Sequence, residues 1–123
     1  MCDSLRMRRS VLIVDDHAAF RSAARELLAA EGYDVVGEAA DGASALAAVR
    51  ELQPDVVLLD VQLPDLNGFD VADALAEEKT IPAVVFISSR RPSAFHWRLA
   101  ANPGWRFIAK SDLSGEALAA ALA

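Results

Sequence analysis

Five short apolar runs, each leading into a stretch of helical periodicity, recur along this 123-residue chain. That alternation leaves few folds open. The runs are Ser10–Val14 (SVLIV), Asp34–Ala39 (DVVGEA), Val56–Leu59 (VVLL), Ala83–Ile87 (AVVFI) and Arg106–Ala109 (RFIA). Short, β-branched runs without polar alternation suit strands covered on both faces, as in a parallel sheet connected by helices. The first helix is expected over Ala18–Glu31, with Phe20, Ala23, Ala24, Leu27 and Leu28 on one stripe and Gly32 as its stop. A second begins at Asp41-Gly42 and carries Ala45, Leu46 and Val49; a third spans Phe69–Glu78 with Val71, Ala72 and Leu75 inward. A fourth covers Pro92–Ala101, cut by Asn102-Pro103-Gly104, and a fifth runs from Asp112 to Ala123. These predict an α/β three-layer sandwich, a five-stranded parallel sheet with five helices, over residues 10–123 after an extension of residues 1–9.

The bulk chemistry excludes several classes. A net charge of −6 argues against direct nucleic-acid binding, which needs clustered Lys and Arg. A lone cysteine, Cys2, fits a reducing compartment. Arg6, Arg8 and Arg9 precede an apolar run, but that run stops at Asp15, short of the ~7–15 residues of a signal-peptide core. No stretch approaches the ~20 apolar residues of a membrane span. A cytoplasmic protein without membrane contact is expected.

In open α/β sheets, ligands bind beyond the carboxyl ends of the strands. Those ends carry Asp15 and Asp16 after strand one, Asp60 after strand three, Ser88 and Ser89 after strand four, and Lys110 after strand five. Two unit charges ~4 Å apart repel by about 4 kcal/mol at an effective dielectric near 20. Three gathered carboxylates therefore call for cations: Lys110 for one, and a hard divalent ion such as Mg²⁺ for the others. Asp60, alone at its strand end, is the natural nucleophile, while Asp15 and Asp16 hold the metal. Singly, each residue has a plainer explanation. Asp16 could cap the following helix, Lys110 could be a solvated lysine, and Ser88 a turn residue. His17 reads as a first-turn residue. As a set at one sheet edge, they favour chemistry.

With VLIVDDH, VVLLDVQLPDLNGFD, VVFISS and FIAK in this order and spacing, the chain resembles, over its full length, the receiver domains of two-component response regulators. The resemblance implies a flavodoxin-like fold of strand order 2-1-3-4-5. It also implies Mg²⁺-dependent transfer of a phosphoryl group from a sensor histidine kinase to Asp60. By the same resemblance Asp15, Asp16, Asp60 and the backbone carbonyl of Gln62 are the metal set, with Asp16 the direct ligand of the acidic pair. Ser88, chosen over Ser89, and Lys110 bond the phosphoryl group, and Phe107 is the aromatic switch that moves with Ser88. Gln62 and Arg90 flank the acceptor and tune loss of the phosphoryl group. Arg106 and Ser111 depart from the Gly and Pro frequent there; Ser111 occurs in the branch joined to helix-turn-helix outputs.

One feature is the chain's own. Between Lys79 and Lys110 there is no acidic residue, yet Arg90, Arg91, Arg98 and Arg106 fall there with Phe95, His96, Trp97 and Trp105. Solvated arginines and core tryptophans would explain it; the sharper reading is a partner surface, or a site of self-association, with Arg91, Trp97 and Arg98 as contacts. A stand-alone receiver that catalyses only its own phosphorylation and dephosphorylation is expected, and the receiver half of a DNA-binding transcription factor is the alternative. An aspartate-nucleophile phosphatase would need a second acid at Gln62, and a flavin carrier would repel its phosphate at Asp15-Asp16.

Overall fold

A computed structural model describes residues 8–89, 99 and 104–123. Five strands, β1 (Ser10–Val14), β2 (Asp34–Ala39), β3 (Val56–Asp60), β4 (Ala83–Ser88) and β5 (Arg106–Ala109), form one parallel sheet in the order β2-β1-β3-β4-β5. Four helices are described: α1 (Ala18–Ala30), α2 (Gly42–Leu52), α3 (Gly68–Leu75) and α4 (Gly115–Leu122). The expected helix over Pro92–Ala101 lies outside the described residues except for Leu99, as do Arg90, Arg91, Trp97 and Arg98.

Strand alternation divides the core in two. Val11, Ile13, Val56, Leu58, Val85, Ile87 and Ile108 face α1 and α4, meeting Ala24, Leu28 and Leu118. Leu12, Val14, Val57, Leu59 and Phe86 face α2 and α3, meeting Ala45, Val49, Val71 and Leu75. A strand buried on both faces cannot alternate polar and apolar residues, which is why these runs are continuous. Trp105 belongs to the edge of the second cluster. Its ring stacks on Phe69 at 5.7 Å and meets Phe86 edge-on at 5.1 Å.

Several boundaries differ from the periodicity. The last helix does not begin at Asp112: Lys110–Asp112 form a 3₁₀ turn, and Ser114 Oγ accepts from the Ala117 amide, so α4 starts at Gly115. α3 stops at Leu75 rather than Glu78. Gly32, at φ +93°, ends α1 as expected. No helix among the described residues is long and apolar enough to cross a membrane.

Candidate functional site

The carboxyl ends of β1, β3, β4 and β5 open on one cleft of about 210 Å³, lined by Asp16, His17, Asp60, Gln62, Leu63, Pro64, Ser88, Ser89 and Lys110. The topology puts them there: a central strand that stops on a polar residue presents it at the sheet edge, between the loops.

Asp60 is the last residue of β3 and only 4% exposed. Its Oδ1 accepts from the Gln62 amide at 3.1 Å, and its Oδ2 lies 3.4 Å from Lys110 Nζ. Burial, the largest influence, and the neighbouring Asp15 charge raise its pKa above the ordinary carboxylate value, against the opposing pull of the Gln62 amide and Lys110.

Asp15 is fully buried. Its Oδ2 forms an ion pair with Lys110 Nζ at 2.5 Å but accepts no aligned hydrogen bond. Its Oδ1 accepts from the His17 amide at 2.8 Å. Its backbone is fixed on both sides, its amide donating to the Ala39 carbonyl at 3.0 Å and its carbonyl accepting from Arg21 Nη1 at 2.6 Å. Lys110 thus bridges Asp15 and Asp60. Burial works against its charge, but the two carboxylates outweigh that and raise its pKa above an ordinary lysine's.

Asp16 is exposed and does not cap α1, because His17 occupies that position. Carboxylate oxygens of Asp15, Asp16 and Asp60 and a ring nitrogen of His17 lie within 4.8 Å of one another, a cluster that could hold a metal ion. Among the described residues, three carboxylates gather here while Lys110 pairs only with Asp15 and Asp60, a donor set that fits a further cation.

Ser88 ends β4, buried, with Cα paired to Ala109 one position before Lys110. Phe107 is half-buried opposite Phe86 and packs on the second cluster.

Three parts of the site have no signal at the strand ends. Gly68 donates to the Val61 carbonyl at 2.6 Å, and a Cβ there would overlap the Asp60 carbonyl oxygen. Asp65 reaches from the β3–α3 loop to accept from the Gly42 and Ala43 amides at 2.7 and 3.1 Å, tying that loop to the start of α2. The His17 ring, expected simply to start a helix, turns back onto the carboxylates. The Asn67-Gly68 pair was legible as a turn; the close approach behind it was not.

Comparison with known proteins identifies the family of the chain. The family described as "Response regulator receiver domain" matches residues 11–122. A Pseudomonas aeruginosa protein, described provisionally as a transcriptional regulator, is 37% identical over 113 residues, 92% of this chain and 55% of that protein. The DNA-binding response regulator MtrA of Mycobacterium tuberculosis is 46% identical over 81 residues, 64% of this chain and 34% of MtrA. The chain therefore spans about half of the first relative's length and covers only part of MtrA. Among solved structures, a two-component response regulator of the LuxR family from an Aurantimonas species superposes with a TM-score of 0.81 at 27% identity, covering 94% of this chain and 83% of that one.

Proposed function

The chain belongs to the response regulator receiver family, and we propose that it accepts a phosphoryl group on Asp60 from the phosphohistidine of a sensor kinase. One observation carries this: a buried carboxylate at a strand end, with one oxygen 3.4 Å from a lysine and a cleft open beside it. An Asp60 oxygen attacks phosphorus, a P–O bond forms, and the P–N bond of the donor breaks with its electron pair left on the imidazole. Lys110, held by Asp15, pairs with a phosphoryl oxygen as the charge arrives. Mg²⁺ held by Asp15, Asp16, Asp60 and the Gln62 carbonyl would neutralise charge on the transferring group.

Ser88 would then bond the phosphoryl oxygen, and Phe107 would follow it inward, biasing a surface that includes β5. A beryllofluoride complex in which neither residue moves would refute that switch. Similarity to MtrA favours, as a second reading, a receiver that governs a DNA-binding domain. The length of the encoding reading frame separates that from a stand-alone receiver.

Incubation with acetyl phosphate and Mg²⁺, read by intact mass, tests the core claim. The wild type gains one phosphoryl group and Asp60→Asn gains none; an unmodified wild type overturns the assignment.

A further inference from the structure

We propose that Phe20 is a positioning residue for Lys110: its ring face holds the ammonium at the edge of the cleft, where a phosphoryl oxygen would meet it. The inference rests on the acceptor reading given above.

Lys110 Nζ stands over the Phe20 ring, 4.7 Å from its centroid. An ammonium within about 6 Å of a ring centroid is attracted by the negative face of the π system. The topology explains how a residue of α1 reaches one that follows β5. Phe20 lies in the first turn of α1, and helical side chains lean toward the helix N-terminus, here the sheet edge at which Lys110 emerges. The same turn is fastened to β1, because Arg21 Nη1 donates to the Asp15 carbonyl at 2.6 Å. The half-buried ring also packs against the cluster containing Val11, Ile13 and Leu28, which fixes the platform.

Core packing alone would explain an aromatic residue at this point of the stripe. Two facts favour a role toward Lys110. The lysine side chain is only 16% exposed, so its ammonium has lost most of its water and depends on the groups around it. Among the described residues those groups are Asp15 at 2.5 Å, Asp60 at 3.4 Å and the ring. And Lys110 lines the cleft whereas Phe20 does not, so the ring holds the cation without filling the space a phosphoryl group would enter.

The chemistry suits such a transfer. A lysine stem is flexible, and a single close ion pair to Asp15 leaves the ammonium free to pivot. A further carboxylate would restrain it but would repel the phosphoryl group. A ring face restrains it while adding no net charge.

The test is the rate of phosphorylation by acetyl phosphate with Mg²⁺, read by intact mass, in chains carrying mono-, tri- or pentafluorophenylalanine at position 20. Fluorination drains electrons from the ring face and leaves the ring's shape nearly unchanged, so a ring that only packs gives no graded response. The rate should fall with each step, by roughly threefold to tenfold at the pentafluoro ring. Proton spectra of the Lys110 ε-methylene supply a second readout: the ring shifts them upfield in the wild type, and Phe20→Leu should return them to the ordinary lysine position. A flat fluorine series, or Lys110 resonances that do not move in Phe20→Leu, overturns the proposal while phosphorylation of the wild type leaves the acceptor reading standing. If the wild type takes up no phosphoryl group, the acceptor reading itself fails and takes this inference with it.

Discussion

Replacing Lys110 by Met in metal-free protein removes the cation bridging Asp15 and Asp60 while keeping most of the side chain's volume. At an effective dielectric near 20, the 2.5 Å contact with Asp15 corresponds to about 6.6 kcal/mol of attraction and the 3.4 Å contact with Asp60 to about 4.9 kcal/mol. Those gross figures cannot appear in full as stability, because bringing the ammonium out of water opposes them. A ceiling also applies. A carboxylate stripped of its cation can take up a proton, which costs about 4 kcal/mol at pH 7 for a group of ordinary pKa near 3.9. The loss expected for Lys110→Met is therefore about 2–4 kcal/mol. In a domain of this size that lowers the melting temperature by roughly 10 °C.

The pH profile identifies the cause. Lys110's pKa is raised, so its contribution is complete below the unfolded value of 10.5 and lost as pH rises through the higher folded value. At low pH the carboxylates need no cation, so the deficit of the variant should shrink between pH 7 and about pH 4. Urea denaturation followed by circular dichroism, with a chelator present, measures both. Adding Asp15→Asn to the variant should recover part of the loss, since the two sites share one interaction. A deficit under about 1 kcal/mol, or one that does not change with pH, refutes the electrostatic account.

Asp60→Asn should raise the stability of the metal-free protein at pH 7. Its folded pKa is raised, so the ionised form is disfavoured by folding, and stability falls as pH climbs from the unfolded value of 3.8 through the folded one; an amide removes that slope, and an unchanged slope would contradict it. Gly68→Ala places a Cβ against the Asp60 carbonyl oxygen and should cost about 1–3 kcal/mol, slowing phosphorylation by acetyl phosphate as the acceptor loop shifts; wild-type stability and rate together would show that the loop yields freely. Asp65→Asn should slow phosphorylation less than Gly68→Ala does. Asp65's pKa is lowered, first by the Gly42 amide, so its contribution is present above the unfolded value of 3.8 and lost as pH falls through the folded one; the check is an acid-melting curve that flattens in the variant.

The sheet and the strand-end residues were legible because both follow from one-dimensional rules. A strand covered on both faces must be continuously apolar, so VLIV, VVLL and AVVFI announce both their structure and the polar residue at which each stops. Parallel connections then place every stop on the same edge. What was not legible depends on atoms meeting across the chain. Asp65 and Gly42 are 23 residues apart, and neither differs in sequence from an ordinary turn residue and an ordinary helix start. His17 reads in sequence as an ordinary residue at a helix start, and only the turn back of its ring from the N-cap position joins it to Asp15 and Asp16. The start of α4 was misplaced for a similar reason: Asp112 and Ser114 are both good caps, and the 3₁₀ turn after Lys110 decides between them.

The same lysine geometry links stability to reactivity. As the proposed nucleophile, Asp60 must be ionised to react, yet burial and the neighbouring Asp15 charge raise its pKa. Lys110 resolves the conflict only in part, because its shorter contact is to Asp15 and its longer one to Asp60. The cation is thus anchored by Asp15 and only leans on Asp60, the proposed acceptor. On the proposed reading, an arriving phosphoryl group would engage Lys110 without first breaking a tight Lys110–Asp60 pair. Had the two distances been exchanged, Asp60 would be more fully ionised but held by its own lysine, and each transfer would begin by separating them. The long Asp60 contact and the raised Asp60 pKa are then two consequences of one arrangement, in which Lys110 is committed first to Asp15 and compensates Asp60 less.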